Sequence, residues 1–99
     1  MTLEEMQLAV CEKLQDVVDI SNDGQGPCYW TKRHEKEIDW PTEGLAVCHE
    51  AEKLLKHMTP TYVLRLHDVC GVEECINTTW QQRLEALCRV WYPERFPTL

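Results

Sequence analysis

The chain has no apolar run approaching the roughly 18 residues that a membrane span requires, and it is poor in basic charge, with 10 lysines and arginines against 17 acids and a net charge of -7. The first absence predicts no membrane helix. The opening MTLEEMQLAV carries acids where a signal peptide carries basic residues, so the cytoplasm is the expected location. The second absence disfavours direct contact with DNA or RNA, because a protein that holds phosphates needs a basic groove to neutralise them. GxSxG, P-loop and dinucleotide fingerprints are also missing, as are the HExxH zinc-protease pattern and a paired CxxC. With no internal repeat and no low-complexity segment, 99 residues of 43% hydrophobic and 27% charged content predict one domain, 1–99, with a modest core.

Negative charge is plentiful, and it is unevenly placed. Residues 1–23 hold Glu4, Glu5, Glu12, Asp16, Asp19 and Asp23 against Lys13 alone, which accounts for five of the seven excess negative charges. Solvated charge on a helix face is the ordinary explanation of such acids. Asp16, Asp19 and Asp23 continue the negative surface beyond the first helix, however, and an acidic pole attracts basic protein surfaces.

Periodicity predicts the elements. Thr2 and Glu5 make a capping box, and Leu3, Met6, Val10 and Leu14 recur at helical spacing, which predicts a helix over 3–14. VVDIS and CYWTKR flank the turn formers NDGQGP, as in a β-hairpin. Pro41, Asp39 and Glu43 suit the start of a second helix over 42–58, with Val47, Cys48, Ala51, Leu54, Leu55 and Met58 on one face. In TYVLRLHDVC, Tyr62, Leu64 and Leu66 alternate while Tyr62, Leu66 and Val69 also fit a helix. The short segment between Thr59-Pro60-Thr61 and Gly71 favours a strand, with another short strand around CIN. Thr79 and Gln82 cap a last helix whose stripe is Trp80, Leu84, Leu87, Cys88 and Trp91, and Pro93 stops it. The expected fold is α/β of the α+β kind, a small single-domain sandwich in the order α-β-β-α-β-(β)-α.

The stretch GLAVCHEAEKLLKH is rich in residues that bind metals or move protons. His49 and His57 nonetheless lie eight residues apart, about 12 Å along a helix axis, too far to share one ion. Both are read as exposed polar residues, and Cys48 as a small core thiol. Cys48 and His49 point about 100° apart on a helix, which is poor geometry for a thiol and its base, so no catalytic residue and no enzyme are expected.

In a reducing cytoplasm the six cysteines, at 11, 28, 48, 70, 75 and 88, are thiols or metal ligands rather than disulfides. The local arrangement suited to zinc is His67, Cys70 and Cys75, with Gly71 in the connecting turn and Cys48 or Cys28 as a fourth ligand. The plainer alternative makes Cys70 a core residue and His67 a surface one. Among the aromatics, Trp80 and Trp91 belong to the core stripe, whereas Trp40 and Tyr92, beside proline-containing loops, are the expected exposed anchors for a protein partner.

From the MTLEEMQLAVCEKL helix, through the glycine-rich hairpin with CYW, to the WPTEGLAVCHEAEKLL and TTWQQRLEALCRV helices, the chain resembles the small phage and prophage proteins of the phage ABA sandwich domain over nearly its whole length. The resemblance implies an α/β sandwich encoded on a phage or other mobile element and brings no catalytic residues. Small acidic phage proteins of this size resemble inhibitors of host defence, such as anti-CRISPR proteins, which is association with a class rather than a property of these residues. The resulting expectation is a stoichiometric inhibitor of a basic-surfaced host nuclease or CRISPR effector. Glu4, Glu5, Glu12, Asp16, Asp19 and Asp23 would steer the encounter, with Trp40 and Tyr92 as anchors. The alternatives are a binder of a small ligand or nucleotide signal, acting as a sponge or enzyme around Arg65, His67 and Trp30, and an accessory phage protein.

Overall fold

A computed structural model describes residues 2–22, 24, 26–33, 35–71 and 78–96. Helix α1, Leu3–Lys13, begins where the Thr2 hydroxyl accepts the Glu5 N–H at 3.1 Å, half of the capping box the sequence predicts. Glu4 and Glu5 lie in its first turn, where negative charge complements the helix dipole. Its inner side buries Ala9, Val10 and Cys11.

The hairpin forms as expected. Strand β1, Val18–Asn22, pairs antiparallel with β2, Pro27–Thr31, from Val18 opposite Thr31 to Asn22 opposite Pro27. Gly24 and Gly26 adopt φ of +93° and +116° in the turn, which side chains rarely tolerate. The period of two puts Val18 and Tyr29 inward and leaves Asp19 and Trp30 exposed. A third strand, β3, Lys36–Glu37, pairs with Trp30 and Thr31, so the sheet order is β1-β2-β3. Nothing in the residue pattern marks it, because two consecutive polar residues carry no alternation.

Helix α2 spans Trp40–Glu52 and is shorter than expected. The chain leaves the helix after Glu52, and Lys56 takes φ +52° before a 3-10 turn at Lys56–Met58. A Pro60 in a continuing helix would lack the N–H needed by the Lys56 carbonyl and would press its ring on it. The Thr59 hydroxyl donates to that carbonyl at 2.9 Å instead. This break rotates the expected apolar face: Leu55 is buried, while Leu54 is 45% exposed.

Residues 61–70, for which the sequence favours a strand, lie in helix α3, Thr59–Cys70. Its buried residues, Tyr62, Leu66 and Cys70, stand four apart, and Leu64, which a strand would have turned inward with them, is 61% exposed. Pro60 belongs to a first helical turn, and Gly71, at φ +79°, is a helix stop rather than a strand boundary. The second strand expected around CIN lies outside the described residues.

Helix α4, Trp80–Trp91, carries the complete predicted capping box: the Thr79 hydroxyl accepts the Gln82 N–H, and the Gln82 side chain accepts the Thr79 N–H. It buries Leu84, Ala86, Leu87, Cys88, Arg89 and Val90, which covers nearly its whole circumference. A helix buried all round must lie at the centre, and α4 packs against α1, α2 and α3. Its buried Arg89 is held by Glu85 at 3.1 Å. The described residues thus form a small α+β domain of four α-helices and a three-stranded antiparallel sheet. Among the described residues, no helix is long and apolar enough to cross a membrane.

Candidate functional site

The acidic residues expected to meet a partner stand on the surface. Glu4, Glu5, Glu12, Asp16 and Asp19 are all exposed, and Asp23 lies outside the described residues. Glu5 and Glu12, seven residues apart, share one side of α1 about 10 Å from each other. Among the described residues Glu4, Glu5, Glu12 and Asp16 form no ion pair. Asp19 meets Lys32 at 3.6 Å, an exposed pair of little energetic weight. Lys13, the base of this segment, forms no ion pair among the described residues, and its ammonium lies over the Tyr92 ring, 5.3 Å from its centroid.

Beside this pole is a cavity of about 220 Å3. β3 ends after Glu37 as the chain turns into α2, so β2 loses its neighbour on that side beyond the Ile38 N–H to Tyr29 carbonyl bond of 2.8 Å. The hollow left there is walled by Glu4 and Gln7 of α1, by Pro27, Cys28 and Tyr29 of β2, and by Glu37, Ile38 and Trp40. Tyr29 is only 5% exposed, and its buried hydroxyl has no hydrogen-bond partner among the described residues. Burial pushes the phenol's pKa up, assisted by the charges of Cys11, Glu12, Glu4 and Cys28. Trp40 meets the Tyr29 ring edge-on at 5.7 Å and stacks on Trp80 at 5.5 Å. Among the described residues no lysine, arginine or histidine lines this cavity.

A second polar cluster joins three helices. Glu52 of α2 accepts from the Tyr62 hydroxyl of α3 at 2.5 Å and from the Arg83 guanidinium of α4 at 2.7 Å, while His49 Nδ1 lies 2.8 Å from its other oxygen. Three partners on one carboxylate make a structural tie, and none of Glu52, Tyr62 and Arg83 lines a described cavity. Cys48 lies one turn earlier on α2. Its thiol is buried against the Trp80 carbonyl at 3.4 Å, and burial, with Glu52 as the second cause, pushes its pKa up to about 12.

The expected zinc ligands are distributed differently from a turn-borne site. His67 and Cys70 both lie on α3, one turn apart. Cys70 donates to the Leu66 carbonyl at 2.9 Å, and Cys48 faces Trp80. Cys75 lies outside the described residues, and among the described residues no three histidine, cysteine or acidic side chains are grouped to hold a metal ion.

The two expected aromatic anchors are less exposed than the sequence suggests. Trp40 and Tyr92 are half-buried and pack against the core. Trp40 is held between Tyr29 and Trp80, and Tyr92 lies beneath the cations of Lys13 and Arg95. The residues suggested for a small-ligand pocket do not converge either. The hollow beside Trp30 is lined by Asp19, Ser21, Thr31, Lys32 and Glu35, with Arg65 and His67 away on α3. What the sequence concealed is the wall set of Glu4, Gln7, Tyr29, Glu37 and Trp40. Its one visible signal was the adjacency of aromatic and acidic residues around CYW and EIDW. The fold and this wall define a small α+β domain with an acidic face and an aromatic, carboxylate-lined hollow. Comparison with known protein families, with curated proteins and with solved structures finds no match for this chain.

Proposed function

We propose that the chain is a small binding protein that acts by stoichiometric contact with a basic surface of a protein partner. The observation that carries this is the set of exposed carboxylates Glu4, Glu5, Glu12 and Asp16, which have no ion-pair partner among the described residues. Four unneutralised charges on a surface of this size steer a positively charged partner and repel nucleic acid. The resemblance to small phage proteins supports a host-defence nuclease, such as a CRISPR effector, as the partner class. Nucleases keep basic channels for their substrates, and carboxylates can occupy such channels in place of phosphates.

The test is plasmid interference in cells carrying an active CRISPR or restriction system, with the native chain or with Glu5→Lys, Glu12→Lys and Asp16→Lys combined. The native chain should relieve interference and the reversed chain should not. With the partner purified, the association rate should fall steeply between about 50 and 200 mM salt. Equal relief by both chains, or none by either, overturns the proposal.

A second reading, a site for a small apolar ligand, is favoured by one observation. A hollow of about 420 Å3 between Leu14, Val17 and Val18 on one side and Ala46 and Val47 of α2 on the other falls within the usual range for such sites. A melting-temperature screen against apolar ligands tests it, and a screen without a hit removes it.

A further inference from the structure

We propose that the cavity between α1, the start of β2 and the β3–α2 junction is a socket for the cationic end of an arginine or lysine side chain presented by the partner. The inference rests on the binding proposal above and supplies its anchor. An interface steered only by exposed carboxylates gains speed more than affinity, and affinity comes from a few well-packed, desolvated contacts. Trp40, the expected anchor, does not project to provide one. It forms a wall instead, so the protruding group must come from the other side.

The wall chemistry selects the ligand. Glu4 and Glu37 supply two carboxylates, Tyr29 a buried hydroxyl oxygen with no partner among the described residues, and Trp40 and Tyr29 aromatic surface. All of these favour a cation with N–H donors, and the described lining, which carries two carboxylates and no basic residue, disfavours a phosphate or carboxylate ligand. Pro27 and Ile38 give an apolar surface on which an alkyl stem can lie. Size agrees: 220 Å3 is the share of about seven waters in the liquid. That is enough for a guanidinium or ammonium on a short stem and below the usual range of about 300–1,000 Å3 for a nucleotide-sized ligand.

Ethylguanidinium is the probe, and N-ethylurea is its neutral counterpart of the same shape. Each is titrated into the full chain at low salt and followed by nitrogen-15 correlation NMR. Ethylguanidinium should shift the amides of Cys28, Tyr29, Glu37 and Ile38 and the Trp40 indole N–H saturably, with a dissociation constant on the order of millimolar, as a fragment of that size allows. Glu4→Gln with Glu37→Gln should weaken this at least about tenfold, the loss expected for charge-assisted contacts. Glu5→Gln with Glu12→Gln should leave it unchanged. A pentapeptide with one arginine between glycines should shift the same wall.

Equal shifts with N-ethylurea, or unsaturable shifts spread along α1, overturn the socket while leaving the binding proposal intact. Ethylguanidinium binding without peptide binding also overturns it, because the hollow then serves a small free amine. If the wall responds as stated but reversing Glu5, Glu12 and Asp16 does not impair relief of interference, the binding proposal falls and the socket stands.

Discussion

Replacing Gly44 by alanine sets two effects of known sign against each other. Gly44 lies inside α2, where glycine costs about 0.5–1 kcal/mol relative to alanine, so on helix propensity alone Gly44→Ala should stabilise the protein. Yet a Cβ there would lie 2.7 Å from Trp80 Cδ2, 2.8 Å from Cγ and 3.1 Å from Cε3. Carbon atoms pack at about 3.5–4.0 Å, so the indole would have to retreat by nearly 1 Å. The atoms struck are the root and fused edge of the ring rather than a flexible tip, and the ring is stacked on Trp40. Overpacking of this kind costs about 1–3 kcal/mol, which outweighs the propensity gain and leaves a net loss of about 1 kcal/mol. For a domain of this size, that lowers the melting temperature by about 4–8 °C. Urea unfolding followed by indole fluorescence gives the stability, and near-ultraviolet circular dichroism reports on the Trp40–Trp80 pair. A Gly44→Ala protein that is more stable than the parent, with an unchanged near-ultraviolet spectrum, would show that Trp80 yields freely and refute the reasoning.

Glu52→Gln should destabilise by about 2 kcal/mol, below the 3–5 of a fully buried pair because both side chains of the Glu52–Arg83 pair are about one-fifth exposed. Adding Arg83→Met should recover part of the loss, and strict additivity in a double-mutant cycle would deny the coupling. Tyr29→Phe removes a buried hydroxyl with no partner among the described residues and should leave stability equal or higher by about 1 kcal/mol; a clear loss would mean the hydroxyl is bonded. Burial pushes the thiols of Cys11, Cys48 and Cys88 up to about 12, so the unfolded chain releases those protons from pH near 9 while the folded chain keeps them. Their contribution is complete below that pH and is lost as pH rises from about 9 to 12, by at most about 1.4 kcal/mol per pH unit for each thiol. A urea midpoint that stays flat across that alkaline range would count against it.

The parts of the fold that were legible in the sequence are those written in local signals. Thr2-x-x-Glu5, Thr79-x-x-Gln82 and the glycines of NDGQGP each act within a few residues: the first caps α1 through the Thr2 hydroxyl, the second forms a complete capping box, and the glycines make the turn. Residues 61–70 were ambiguous because Tyr62 and Leu66 serve both periods. What decides between them is non-local: α4 lies against α3 and receives the face carrying Tyr62, Leu66 and Cys70. The end of α2 was misplaced for a related reason, since the pattern of Leu54, Leu55 and Met58 continues past the point where the backbone turns at Lys56. The acidic pole could be read directly, because charge on a short segment stays together in any fold. The cavity could not, because its wall draws on α1, β2 and the junction before α2, and the space exists only because β3 stops after two residues.

Trp40 and Trp80 join core and surface in one set of contacts. Gly44 lets α2 approach the Trp80 ring, Trp80 stacks on Trp40, and Trp40 meets the edge of Tyr29, so the position of the cavity wall depends on a buried glycine of α2. Aromatic residues that would cost little as exposed anchors instead contribute to stability, and the same packing fixes their orientation around the hollow. A change at Gly44 should therefore move the ethylguanidinium response of the Trp40 indole as well as the unfolding midpoint, whereas Glu52→Gln, acting through a tie remote from the lining, should lower stability and leave that response alone. Loss of the response in both variants would mean that the wall senses only global stability; loss in the first alone would place its control in the aromatic stack.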